Sequence, residues 1–154
     1  MFEETRVRFA HVTDRAFLNL EGLLESALKQ FSPTPSEGNK RGIYVLYEDD
    51  QPVYVGRTKN LEQRFRAHIT PNHNSASYAL KRVRKRLGRK PTYVKEGSRS
   101  WIVENYWNEF IQEIEAIKRM TYRFIEVSDN IDQYFLEYLA EAHLGLDHDG
   151  LDTS

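Results

Sequence analysis

The sequence predicts an α+β fold: a small antiparallel three-stranded sheet flanked by helices, with an N-terminal helical extension. Three observations carry this. Two β-branched and aromatic runs, GIYVLY and PVYVG, flank a short acidic stretch, a third such run, YRFIEV, stands far downstream, and apolar residues elsewhere recur at three- and four-residue spacing. At 154 residues and 40% hydrophobic content, one ordinary core in one domain with appendages is the expectation.

The first helix is predicted from Asp14, a good N-cap, to about Phe31, with Phe17, Leu20, Leu24 and Leu28 facing inward. Ser32 to Asn39, with Pro33, Pro35 and Gly38, reads as a linker, so residues 1–39 form the extension and residues 40–146 the main domain. Gly42 to Tyr47 and Pro52 to Gly56 read as a hairpin around Glu48 to Asp50. A two-residue loop at Asp49 and Asp50 sets Tyr44 across from Val55 and puts Tyr44 and Tyr54 on opposite faces, whereas a three-residue loop puts both on one face.

Asn60, with Gln63 three residues on, caps a helix whose stripe is Leu61, Phe65 and Ile69, and Pro71 ends it. A further helix is predicted from about Ser75 to Leu87, stopped by Gly88 and Pro91, then a short edge strand over Thr92 to Lys95. Ile102, Tyr106, Phe110, Ile114 and Ile117 mark one long amphipathic helix, and residues 88–120 look like an insertion. Its Trp101, Tyr106 and Trp107 are expected to build a local core rather than to stack on bases. YRFIEV reads as the third strand. A last helix, about Asn130 to Leu144, is predicted to turn Ile131, Phe135, Leu139 and Ala142 inward, and residues 147–154 read as a flexible acidic tail.

The net charge of −1 hides a strong polarity. Between Arg57 and Arg99 thirteen Lys and Arg face only Glu62 and Glu96, while the rest of the chain is strongly acidic. Such a stretch suits a polyanion met by one face, or a pair of solvated surface helices. With no cysteine, any metal must be held by oxygen or imidazole. The N-terminus has no apolar run resembling a signal peptide, and no stretch approaches the roughly 18 apolar residues of a membrane span, so the expectation is a soluble intracellular, cytoplasmic protein.

Three pieces line up: GIYVLY on the first strand, YVGRT at the end of the second, and NLEQRFRAH on the helix that follows. The 10-residue step from Tyr44 to Tyr54 spans one hairpin, Arg57 directly follows the second glycine, and Arg64 and His68 sit four apart. Together they resemble the GIY-YIG nuclease family, whose two tripeptides are here Gly42-Ile43-Tyr44 and Tyr54-Val55-Gly56, over about Arg41 to Leu144. Taken singly, the tyrosines read as packed strand aromatics and Arg64 as a solvated helix residue, but order and spacing reverse that.

The resemblance implies a divalent-metal-dependent endonuclease that cuts DNA, or RNA as the alternative, and leaves 5′-phosphate and 3′-hydroxyl ends. It assigns Tyr44 to deprotonating the attacking water and Tyr54 as its partner across the hairpin. Arg57 falls near the scissile phosphate, Arg64 stabilises it, His68 takes a position held by His or Tyr in some members, and Glu137 binds one Mg²⁺ or Mn²⁺. Glu141, one turn on, is the rival carboxylate. The family Asn that follows the metal-binding helix has no counterpart in GLDHDGLDTS.

The residue types suit that chemistry. A free tyrosine, with a pKa of about 10, needs nearby cations to act as a base at neutral pH. Guanidinium groups offer permanent charge and planar donors to phosphate oxygens. One carboxylate with waters suffices for Mg²⁺. KRVRKRLGRK is the expected DNA backbone track, with Lys81, Arg82, Lys85, Arg86, Arg89 and Lys90 joined by Lys59. Specificity is left to these elements, a second copy of the chain or a partner protein. The rival expectation is a nucleic-acid binding module that kept the fold and lost cleavage. A protein-interaction domain using the acidic helices is the third.

Overall fold

A computed structural model describes residues 1–89, 92 and 94–146. The hairpin pairs β2 (Gly42–Glu48) with β3 (Gln51–Thr58). Asp49 and Asp50 both take left-handed conformations, φ 51° and 63°, the two-residue turn whose twist matches that of paired strands. Pairing starts on the short-loop register, Glu48 opposite Gln51 and Tyr47 opposite Pro52, then slips by one residue. Leu46 thus faces Tyr54 and Tyr44 faces Gly56. This β-bulge leaves Val53 as the extra residue, beside Pro52, which has no N–H to give to a ladder. Tyr44 and Tyr54 therefore share a face despite the two-residue loop, because the bulge supplies the missing residue.

A β4 strand (Thr121–Glu126) pairs antiparallel with the other side of β2, as expected for the third strand. A fourth strand, β1 (Lys29–Gln30), adds to its outer edge, giving the order β1-β4-β2-β3. These two residues were expected in the first helix. That helix, α1, instead spans Glu3–Glu25 and stops where Ser26 folds its hydroxyl back onto the Leu23 carbonyl at 2.6 Å. Its buried residues are Ala16, Leu20 and Leu23, while Phe17 and Leu28 are exposed. Gly22 lies against the sheet, where an added Cβ would come within 2.9 Å of Ile125 Cδ1 of β4.

Helix α2 (Leu61–His68) is capped as predicted, with Asn60 Oδ1 accepting the Gln63 N–H at 3.0 Å. Helix α3 (Ser77–Leu87) ends at Gly88 in the left-handed conformation, φ 65°. No strand forms at Thr92, Val94 or Lys95. The long helix expected around Tyr106 is two, α4 (Arg99–Asn105) and α5 (Trp107–Lys118), because Tyr106 leaves helical geometry at φ −130°, ψ 43°. Trp101 and Tyr106 pack on the core and Trp107 is exposed.

Helix α6 (Asn130–Leu144) has the expected limits but a rotated inner face. Gln133, Leu136 and Ala140 are buried, whereas Ile131 and Ala142 are exposed. Phe135 leaves the sheet to meet Phe9 of α1 edge-on at 5.2 Å. The acidic tail at 147–154 lies outside the described residues.

The sheet separates two apolar layers. On one face Tyr44, Leu46, Tyr122 and Phe124 pack under α2 to α5. On the other, Ile43, Val45 and Val55 meet Leu20 and Leu23 of α1 and Leu136 and Ala140 of α6. Helix α1 is thereby part of a core layer. Leu23→Ala is expected to cost about 2–5 kcal/mol in denaturant unfolding, against under about 0.5 kcal/mol for Phe17→Ala. Equal costs for the two contradict this packing.

Candidate active site

Gly56 lies directly opposite Tyr44, and a Cβ there would overlap the tyrosine ring and its hydroxyl. The missing side chain lets the ring lie against β3. Leu61 and Phe65 seat α2 on the same face, and one turn of helix brings Arg64 and His68 beside the tyrosines. The Tyr44 hydroxyl and His68 Nε2 are 2.7 Å apart, and both side chains are buried. The His68 ring stands edge-on to Tyr44 and Tyr54 at 5.8 and 5.6 Å.

Burial, helped by the charge on Arg64, depresses the His68 pKa to about 3. The imidazole is therefore neutral, and Tyr44 donates to Nε2. Among the described residues His68 Nδ1 has no hydrogen-bond partner. Burial also pushes the Tyr44 pKa well above its ordinary value, reinforced by Tyr54, with Arg64 pulling the other way. Tyr44 is thus a phenol with no exposed surface, and the cations do not make it a phenolate. Tyr54 is part-exposed, its hydroxyl 3.5 Å from Arg64 Nη2, and its ring packs tilted at 35° against Tyr78 at 4.3 Å. Burial works against the Arg64 charge, but the two phenols more than offset it and hold the guanidinium firmly protonated.

Arg57, the residue after Gly56, points to the opposite face by strand alternation. Its Nε is 3.7 Å from Glu137 Oε1 on α6, and its guanidinium carbon lies 3.9 Å over the Tyr134 ring. Arg57 and Glu137 are 30% and 29% exposed. Burial raises the Glu137 pKa, and Arg57 opposes the rise. The six expected residues therefore form two groups, Tyr44, Tyr54, Arg64 and His68 on one side of β3 and Arg57 with Glu137 on the other. The two groups lie on opposite faces of the sheet with Gly56 between them, the Tyr44 ring against Gly56 itself and Arg57 the next residue along the strand. Strand β3 is the sheet edge, and among the described residues no further strand covers this spot.

Among the described residues no three His, Asp or Glu side chains cluster as a metal cage. A single part-exposed carboxylate, Glu137, fits an ion that keeps most of its hydration, as Mg²⁺ does, and not a closed Zn²⁺ or Ca²⁺ site.

The expected backbone track is partly absorbed by the fold. Arg82 bonds Glu48 at 2.9 Å and Glu113 at 2.6 Å, and Arg86 meets Glu113 and Gln112, because α3 packs against α5 on that side. Lys59, Lys85 and Arg89 are exposed, Lys81 is half-buried, and Lys90 lies outside the described residues. Sequence reasoning passed over Tyr134 and Tyr78. The only sequence signal for Tyr134 was its place three residues before Glu137 on one helix.

The GIY-YIG catalytic domain model matches residues 40–128. The chain belongs to the GIY-YIG family. Membership makes this a nuclease-type hydrolase domain with nucleic acid as its substrate class, in a family that generally uses divalent metals. The match covers the hairpin, α2 and β4 and ends before α6, so Glu137 lies beyond it. No curated protein and no solved structure matches the chain.

Two measurements check this geometry. Below about pH 6.5 an unfolded chain's imidazole takes up a proton that folded His68 refuses until about pH 3, so stability falls as pH drops through that window. Melting temperature is expected to fall more steeply from pH 6.5 to 4 in the parent than in His68→Gln. Parallel curves would contradict a neutral buried imidazole. Gly56→Ala is expected to cost about 1–3 kcal/mol by overpacking against Tyr44, and an unchanged unfolding midpoint would contradict the close approach.

Proposed function

We propose that this GIY-YIG domain is an endonuclease that hydrolyses DNA phosphodiester bonds at the β3 edge, with a divalent metal, Mg²⁺ or Mn²⁺, held by Glu137. The observation that carries the reading is the 2.7 Å Tyr44–His68 hydrogen bond, buried beside Arg64 and one residue from the Arg57–Glu137 pair. A neutral phenol donating to a neutral imidazole is a buried polar pair that fixes the Tyr44 ring against Gly56, and it lies beside guanidinium groups suited to a phosphate.

Tyr54 is the more exposed of the two phenols and the better placed to meet the attacking water. Its phenolic oxygen takes the water's proton as its own proton passes to solvent at the strand edge, while the buried Tyr44–His68 pair stays neutral and holds the Tyr44 ring in place. The resulting hydroxide bonds to phosphorus and the 3′ oxygen leaves. Arg64 beside Tyr54 and Arg57 beyond Gly56 stabilise the negative charge that builds on the phosphoryl oxygens. Neither can lose its proton at working pH. The metal, when bound, supplies Lewis-acid stabilisation of the leaving oxygen.

One observation favours the rival reading, a binding module without cleavage: Tyr44 has no exposed surface. Incubation of the purified protein with supercoiled plasmid separates the two. The expected result is nicking that needs Mg²⁺ or Mn²⁺ and falls by about 10²- to 10⁴-fold in Tyr54→Phe, with comparable loss in Glu137→Ala and, in Tyr44→Phe, a loss per folded molecule beside the roughly 1–3 kcal/mol of stability that the unpaired His68 Nε2 costs. Plasmid binding with no nicking in either metal contradicts the enzyme and supports the module.

A further inference from the structure

Arg57 is held in an unusual way. Its Nε is enclosed and faces Glu137 at 3.7 Å, beyond hydrogen-bond length. Among the described residues neither terminal amino group makes a hydrogen bond, and neither is an enclosed atom without a partner, so both stay open to solvent. One flat face of the guanidinium lies on the Tyr134 ring at 3.9 Å. The ring itself is 55% exposed.

A guanidinium and a carboxylate this close would ordinarily close into a two-bonded fork. That fork would occupy the Arg57 donors and the Glu137 oxygens together. The Tyr134 ring offers the cation a competing attraction over its face and fixes the plane in which the guanidinium lies. Only Nε then points at Glu137, while the two amino groups remain available to phosphate oxygens. The ring sits one helical turn before Glu137, so α6 sets both contacts at once.

We infer that Tyr134 is a positioning residue: its ring clamps Arg57 so that the two terminal amino groups meet the reacting phosphate and Glu137 stays available to the metal. The inference rests on the endonuclease reading for its substrate. It concerns this chain's own side chain at a position outside the two tripeptides and the helix motif.

A contact at the reacting phosphate strengthens as charge builds in the transition state, so its loss falls on kcat while KM, set by the rest of the duplex, changes little. Tyr134→Ala is expected to lower kcat by roughly fivefold to tenfold, with KM within about twofold. Melting temperature should change little, because the ring is half in solvent. Tyr134→Phe, which keeps the ring, restores kcat, and Tyr134→Leu, which keeps only apolar bulk, does not. Tyr138→Ala, an exposed control one turn on, leaves kcat unchanged. Rescue by Leu, or a loss of kcat matched by lost folded protein, overturns the clamp in favour of a packing role.

A second readout is independent of cleavage. The Arg57 side-chain N–H resonance should carry a ring-current shift in the parent that disappears in Tyr134→Ala. An unshifted parent resonance overturns the clamp even in an active enzyme. A shifted resonance in a protein that nicks nothing overturns the endonuclease reading instead.

Discussion

The one-residue slip in the β2–β3 hairpin is the constraint on which the site depends. A regular hairpin closed at Asp49 and Asp50 would put Tyr44 across from Val55 and send Tyr54 to the α1/α6 face. The bulge at Val53 moves everything after it by one position. Tyr54 comes onto the Tyr44 face, Gly56 comes under the Tyr44 ring, and Arg57 is turned toward α6. Three residues of a recognisable motif acquire their three different environments from one inserted residue.

The site sorts its groups by what burial costs them. A neutral phenol and a neutral imidazole can be enclosed because they satisfy each other, and burial itself keeps both neutral. The permanent charges stay nearer the surface. Arg64 is stabilised by the oxygens of the phenols, and Arg57 and Glu137 sit part-exposed on the far side of the edge strand. An enclosed ion pair at this spot would have cost several kcal/mol in desolvation. The resulting layout keeps the neutral pair dry and the charges within reach of a polyanion.

The hairpin, α2 with its Asn60 cap, α3, β4 and the limits of α6 were legible because each has strong periodicity or a residue with one preferred backbone role. The family was legible for the same reason, since two tripeptides, a following Arg and an Arg–His pair one turn apart leave little freedom. What failed was side-chain phase and partnership. Phe17, Leu28, Ile131 and Ala142 were assigned inward from spacing alone, yet both terminal helices turn other faces to the sheet. There the close approach of Gly22 to Ile125 and the burial of Gln133 through its bond to the Val127 carbonyl accompany the rotation. The same limit applies to Arg82 and Arg86, whose carboxylate partners lie 27 to 34 residues away in sequence. The break at Tyr106 and the two-residue β1 are set by packing that no local pattern announces.

In the candidate site, the sequence named the residues but not their division across β3, because the loop and the bulge had to be known together. The enclosure of Tyr44 was also out of reach, since it depends on Gly56 lying opposite. A crystal structure of Glu137→Gln with a short uncleaved DNA duplex tests the central claim most directly. One phosphate should lie at the β3 edge beside Gly56, within hydrogen-bond reach of Arg57 on one side and of Arg64 or Tyr54 on the other. Duplex bound along α3 with no phosphate near Gly56 would contradict it.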